Sequence, residues 1–478
     1  MALLPAVGMA QQLSITSPDG RINMVRDSGM YQWSVALTGC VSNETGKAPV
    51  AYLWLPDDLS PKERGSQRRI KAVVLAQQNM TEEAVFRNPA FQREMTRLGV
   101  GLVWVAPWFS QIWDPQSGCQ QAFEEMMVGL AGQSGHPELC TVPIVPLGHS
   151  AQATFPWNFA AWNPQRTLCI VSLHGDAPRT NLCGYGTANI EWGRQRNIDG
   201  IPGLMVMGEY EWWDARLRPA LAFRMMYPAS CISFLCDTGR GHFDCGEATV
   251  LYIAKFIEKA IDYRMGTTDD GLLTSDYRPQ TTHLRPLNPM DGWLLPAPES
   301  EADKSEAQSL PSFPHIDAAP YYIYKGDRHT AFWYFDREMA LLTHQRHRDT
   351  EGKQRQYVGF EYNGKLMAYD PKVQGGMRLR YDGDSLIVHL RAVYTDSSHA
   401  SLSSAHGQAV PRIEVVRGPV RQLNDTTFQI VPYEAGWDNP RRALNFTLCA
   451  VADADRRYKG AVQPINITFP KELVDKIK

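Results

Sequence analysis

Between residues 65 and 265 the chain alternates short, unbroken apolar runs with longer amphipathic segments, and no other property of the sequence constrains the fold as much. Ile70–Ala76, Gly99–Val105, the run ending at Leu147, Leu168–His174, Ile201–Gly208 and Cys231–Cys236 are too short for core helices. They have the continuous apolar character of strands buried on both faces. Helices are expected near 82–98, 120–133 and 248–258. Strands separated by helix-length segments do not pair as hairpins, so the expected fold is α/β, a doubly wound and mostly parallel sheet. Upstream, Gln12–Thr16, a Ser17-Pro-Asp-Gly20 turn, Tyr31–Leu37 and Ala51–Leu55 read as an antiparallel edge to that sheet.

Several of these runs end where chemistry-bearing residues begin. Thr141–Leu147 breaks at Gly148-His149-Ser150, and Ala151 opens an aromatic-rich, helix-like segment. A strand, a tight turn and a helix in that order need a glycine where backbones approach closely. They leave Ser150 at the positive end of a helix dipole, with the Ala151 amide placed to meet a developing oxyanion. Ile201–Gly208 is followed by Glu209, Glu211 and Asp214, and Cys231–Cys236 by Gly239-Arg-Gly-His242-Phe-Asp244. Serine, acid and histidine thus follow one another in chain order, each at the C-terminal end of an expected strand.

This arrangement resembles the α/β-hydrolases, with one departure: Gln152 stands where the Gly-x-Ser-x-Gly elbow has its last glycine. The resemblance implies Ser150 as nucleophile and His242 as base. It places the acid three residues past the strand-ending glycine, at Glu211. Glu209 and Asp214 compete for that role, and Asp176, after the preceding strand, is the fallback. His149 is expected to pack or line the site. A second oxyanion donor is expected at Gln78 or Asn79, in the loop after Ile70–Ala76, beside the Ala151 amide.

Trp108, Phe109, Trp113, Trp157, Trp192, Trp212 and Trp213 crowd the expected loops above the sheet. Trp108 and Trp212 are candidate stacking surfaces for a sugar ring, whereas Trp157 is expected to pack. Arg179 and Arg240, with Arg194 and Arg196, are candidate carboxylate readers, since a guanidinium fork matches a carboxylate. The elbow, the Gly208–Glu211 loop, Gly241–Asp244 and the strand-rich end of the chain together resemble exported α/β-hydrolase esterases of gut Bacteroidetes that trim plant polysaccharides, including a pectin methylesterase group. That resemblance implies a serine carboxylesterase acting on an oligosaccharide or polysaccharide ester, with pectic methyl ester ahead of acetyl or feruloyl ester. An exported peptidase or lipase-like hydrolase, and a non-catalytic binding protein, are the alternatives.

The chain has 478 residues, too many for one ordinary core. Its composition changes near residue 277. The proline-rich stretch 278–317 reads as a linker between a catalytic domain (11–277) and an all-β, sandwich-like domain (318–478). In the latter, Tyr357–Tyr362 turns at Asn363-Gly364 into Lys365–Tyr369, and Leu379–Tyr381, Asp382-Gly383 and Ser385–Arg391 repeat that hairpin pattern. Only Arg337–His347 looks helical. A net charge of −3 gives no electrostatic reason to expect nucleic acid, and no apolar run approaches a membrane span. Without Cys-x-x-Cys or His-Glu-x-x-His spacing, no metal or other cofactor is expected. Residues 1–10 resemble the remnant of an export signal, which implies a periplasmic or secreted protein. Of nine cysteines, Cys169, Cys231 and Cys236 fall in apolar strands, and Cys119, Cys140, Cys183 and Cys245 are the expected disulfide partners.

Overall fold

A computed structural model describes residues 30–41, 48–59, 69–184, 187–265, 283–299, 310–418, 420–430 and 445–470. The expected signal remnant and the strand at Gln12–Thr16 lie outside them. Eight strands form the main sheet: β1 (Trp33–Ala36), β2 (Val50–Trp54), β3 (Ala72–Gln77), β4 (Val100–Ala106), β5 (Ile144–His149), β6 (Ile170–Leu173), β7 (Pro202–Gly208) and β8 (Cys231–Asp237). Their order is β1-β2-β4-β3-β5-β6-β7-β8. The pairs β1–β2 and β2–β4 are antiparallel, and from β4 to β8 every pair is parallel. This is the α/β-hydrolase fold.

The helices are α1 (Glu82–Arg87), α2 (Pro89–Leu98), α3 (Cys119–Ser134), α4 (Phe155–Trp162), α5 (Asp214–Met226) and α6 (Glu247–Arg264). The one helix expected near 82–98 is two. Asn88 precedes a proline, which disfavours the α region, and it adopts φ −66°, ψ 120°. Its side chain then accepts from the Ala90 and Phe91 amides and starts α2.

Successive side chains of the central strands go to opposite faces. Val74, Leu102 and Trp104 meet Phe86, Phe91 and α6, while Val73, Val103 and Val105 meet α3 and α4. Trp113, expected in a loop over the sheet, is at the centre of that second face. It has no solvent exposure and packs against Phe109, Phe123, Phe155 and Phe159 at 4.8–5.8 Å between ring centroids.

The stretch read as a linker contributes structure of its own. β9 (Trp293–Pro296) pairs with β10 (Ala319–Pro320) and β11 (Ala331–Tyr334). Leu294 and Leu295 are buried in the main core, and α7 (Arg337–Arg348) covers β8. The Ser233 hydroxyl donates to the Trp333 carbonyl, the Tyr334 hydroxyl to the Phe234 carbonyl, and the Cys236 amide to His347 Nε2. Burial, with Arg346 and His344 nearby, pushes His347 down to about 3, which keeps that acceptor neutral. Residues 283–299 and 310–348 thus complete the α/β layers.

The remaining strands are β12 (Tyr357–Tyr362), β13 (Lys365–Leu366), β14 (Arg378–Arg380), β15 (Ile387–His389), β16 (Arg391–Thr395), β17 (Arg412–Arg417), β18 (Val420–Asn424), β19 (Thr427–Ile430), β20 (Asn445–Ala452) and β21 (Ala461–Thr468). They make three small sheets around one core that includes Phe360, Val388, Phe428, Phe446 and Ile465. β12 and β13 form the expected hairpin, with φ of 50° and 71° at Asn363 and Gly364. The second expected hairpin does not form: β14 runs parallel to β21 and β15 pairs with β19. Neither Asp382 nor Gly383 takes the positive φ that a type I′ turn requires.

All nine cysteines are free, the expected partners included. Cys119 and Cys183 are buried in separate surroundings and donate to the carbonyls of Asp114 and His174. Burial raises the thiols, Cys119 to about 11.

Replacing Trp113 by alanine empties the centre of a five-ring cluster. Such large-to-small core changes cost about 3–5 kcal/mol, so thermal unfolding of Trp113→Ala is expected well below wild type.

Candidate active site

β5 delivers the elbow. A methyl group on Gly148 would lie 2.1 Å from the Gln152 carbonyl oxygen, and one on Gly175 would lie 1.8 Å from Ala153 Cβ. Backbones thus cross too closely at these two points for any side chain. Position 152 itself points elsewhere: Gln152 is buried and reaches Gln77, which explains how it replaces the expected glycine. Ser150 opens a short 3-10 turn, Ser150–Gln152, with φ 51°, a left-handed conformation that non-glycine residues rarely adopt. The elbow is held from below by Glu82, which accepts from the His149 amide at 2.8 Å, and by Asn79, whose Nδ2 donates to the His149 carbonyl at 2.6 Å.

Three side chains from separate loops meet here. His242 Nε2 lies 2.8 Å from Ser150 Oγ, and His242 Nδ1 is hydrogen-bonded to Glu211 Oε2. The geometry singles out Glu211 among the carboxylates considered. Glu209 is fully buried against Lys459 and the Gly239 amide, and Asp214 holds Trp212 Nε1 and Arg218. Asp176 accepts from the Cys183 amide.

Glu211 is held on all sides. Oε1 accepts from the Gly208 amide at 2.9 Å and from His174 Nδ1, and Oε2 accepts from Arg216 at 3.0 Å as well as from His242. Burial opposes its ionisation, but the imidazoles of His242 and His174 outweigh that and hold the carboxyl well below the usual range. His149 is fully buried and donates from Nε2 to the His242 carbonyl at 2.7 Å. Burial and the neighbouring imidazoles push it well down, so it braces the base loop as a neutral ring. Among the described residues, His174, Glu211 and His242 form the only group of donors close enough together to hold a metal ion. Those atoms are already spent on one another, with the Glu211 carboxylate accepting from both imidazoles.

The remaining expected positions divide. Ala151 lies in the 3-10 turn beside Ser150, and its carbonyl accepts from Gln111 Nε2. The main-chain amide of Gln78 is committed to the Val105 carbonyl at 2.7 Å, so it is not a free oxyanion donor. Trp108 is partly exposed in the loop after β4, whereas Trp212 is buried against Phe234, its indole N–H spent on Asp214. The exposed tryptophan there is its neighbour Trp213, 43% accessible, under the Arg216 guanidinium.

Both arginines expected to read a substrate carboxylate have other partners. Arg179 binds Tyr227 and Glu191. Tyr227 caps the far end of α5, about 20 Å of helix from the Glu211 end. Arg240, partly buried, lies among Asp244, Glu414 and Asp453 at 3.3–3.8 Å. The sequence reading missed His174 and Arg216. His174 had a signal, since it directly follows β6, at a strand end like the other site residues.

No protein-family model matches the chain, and no curated protein matches it. Solved structures similar to it include FphF, a fluorophosphonate-binding serine hydrolase of Staphylococcus aureus (12% identity, 48% of this chain and 98% of that one, TM-score 0.34). Two others are Est1E from Butyrivibrio proteoclasticus (13%, 48% and 98%, 0.30) and the siderophore hydrolase EstA from Aspergillus nidulans (10%, 47% and 92%, 0.32). Likenesses this distant say nothing about substrate. The sheet order and the serine–histidine–glutamate chain at its C-terminal edge make this a serine hydrolase site of the α/β-hydrolase kind.

The lowered pKa of Glu211 makes the carboxylate clamp a source of stability above the usual carboxylate range, lost as pH falls through the lowered value. Glu211→Gln is therefore expected to melt below wild type at neutral pH, with the gap closing as pH is lowered past the usual carboxylate range. A gap that does not change with pH would contradict this.

Proposed function

We propose that the chain is a serine carboxylesterase working through an acyl-enzyme, and the hydrogen-bonded sequence Ser150 Oγ–His242–Glu211 carries that reading. Ser150 Oγ attacks the acyl carbon while His242 Nε2 takes its proton, and the Ala151 amide stabilises the oxyanion. Collapse expels the alkoxide, which receives the proton from His242. Water, deprotonated by the same nitrogen, then attacks the acyl carbon; the bond to Ser150 Oγ breaks, the acid leaves, and His242 returns the proton to Oγ. Glu211 fixes the tautomer with Nδ1–H toward itself and balances the charge of the imidazolium.

For the substrate we retain a plant cell-wall polysaccharide ester, pectic methyl ester first. Its support is the sequence resemblance together with the accessible rings of Trp108 and Trp213, suited to stacking on a sugar face. The arginines do not support it, since Arg179 and Arg240 are spent on internal partners. That observation favours a second reading within the same chemistry, a neutral acetyl or feruloyl ester.

Ser150→Ala and His242→Ala are each expected to keep the fold and lose about 10⁴–10⁶ in turnover, with the double variant no slower than either. Losses that multiply in the double variant would show that the two side chains do not act together.

Methyl, acetyl and feruloyl esters of pectic and xylan oligosaccharides separate the substrate readings. Methanol released from methyl-esterified oligogalacturonides is the expected result. Acetate or ferulate without methanol would move the assignment to the second reading, and turnover of none of them would remove the polysaccharide class.

A further inference from the structure

Glu211 has two oxygens, and the relay to Ser150 uses one of them. The other is occupied by a residue with no place in a three-residue relay. His174 directs Nδ1 at Glu211 Oε1, so the carboxylate lies between two imidazoles. The ring of His174 is completely buried, 6.0 Å from that of His242 and 5.3 Å from that of His149, and its Nε2 has no hydrogen-bond partner. The side-chain hydrogen bond that this ring makes is the one to Glu211.

Its backbone is also strained. His174 has φ 49°, in the left-handed region, a conformation that costs a side chain of this size of the order of 1–3 kcal/mol. The peptide is pinned in that shape: its amide donates to the Val206 carbonyl at 2.7 Å, and its carbonyl accepts from Arg216 at 3.3 Å and from Cys183 Sγ. That strain falls on the residue whose ring reaches Oε1.

We infer that His174 is a positioning residue for the reaction, holding the free oxygen of Glu211 so that the other stays aligned on His242 Nδ1. This rests on the triad reading above. Glutamate has one more rotatable bond than aspartate, so a glutamate acid needs its outer oxygen fixed before the inner one can orient an imidazole. With the Gly208 amide and Arg216, the two histidines supply four donors to the carboxylate. Burial works against a charge on His174, but Glu211 outweighs it and raises the group above the usual histidine range. The groups facing it are Glu211 from the loop after β7, His149 from β5, His242 from the loop after β8, Arg216 from α5 and Cys183 from the crossover after β6, with Asp244 and Asp237 further off.

The test compares His174→Ala, which removes the donor, with His174→Asn, whose amide nitrogen falls near the position of Nδ1 and whose backbone tolerates positive φ. Full-length His174→Ala is expected to lose roughly ten- to a hundredfold in kcat, the scale of a small misplacement of a catalytic group, with KM little changed. His174→Asn should restore most of that loss. In His174→Ala the acid limb of kcat/KM should move to higher pH. A carboxylate relieved of one donor is more basic and holds the proton on His242 more tightly, and loss of any positive charge on His174 acts in the same direction.

Proton NMR gives a readout independent of turnover. Wild type and Ser150→Ala should both show two downfield imidazole N–H resonances, and His174→Asn one. A folded His174→Ala with wild-type kcat and an unmoved acid limb would overturn the inference, and so would a folded His174→Asn as slow as His174→Ala. If His174→Ala does not fold, the asparagine variant and the resonance count decide. Should Ser150→Ala stay active, the triad reading fails, whereas a single downfield resonance in wild type would sink this inference alone.

Discussion

Glu211 can face His242 because the two residues just before it are gripped by the other end of the chain. Glu209, without any solvent exposure, takes the ammonium of Lys459, and the Tyr210 hydroxyl donates to the Gly460 carbonyl. The base loop rests on the same surface. Gly239 lies so close to Gly460 that a methyl group would come within 2.8 Å of its Cα, Arg240 pairs with Glu414 and Asp453, and Cys449 Sγ donates to the Phe243 carbonyl. Arg417 of β17 reaches Met80 in the loop after β3. Three loops of the site therefore lean on β17, β20 and the turn from β20 to β21. A carboxylate buried as Glu209 is costs about 3–5 kcal/mol if its partner is taken away. The β domain is thus part of what shapes the site, and the two halves of the chain are not independent modules.

Much of the α/β half was legible because its signals are local. A strand buried on both faces must be continuously apolar, a chain returning to a parallel neighbour needs a helix-length crossover, and a turn that brings Gly148 against Gln152 needs a glycine. Ser150, His242 and the acid loop could be read from their places at strand ends. The choice of Glu211 over Glu209 could not. The two are a residue apart on either side of Tyr210, and what separates them is Lys459, about 250 positions away in sequence.

The aromatic and basic residues were harder to read, for a related reason. A tryptophan or arginine in a loop has the same sequence signature whether it meets substrate or another part of the protein. Trp113 and Trp212 fill cores, and Arg240 satisfies three internal carboxylates. The proline-rich stretch misled in the same way: Pro289 opens a 3-10 turn and Pro296 is the last residue of β9, and proline suits the ends of elements as readily as a linker. His174 shows the reverse: it ends an apolar run in plain sight, and its role depends on a backbone angle that composition does not reveal.

The cysteines have a consequence of a different kind. All nine are free, and most lie in the packed interior. Burial keeps Cys119, Cys169, Cys183, Cys231 and Cys236 protonated, and a protonated thiol is a poor nucleophile. Their electron pairs are withheld from passing electrophiles, whereas an acylating reagent that reaches Ser150 meets a nucleophile with a base already at hand.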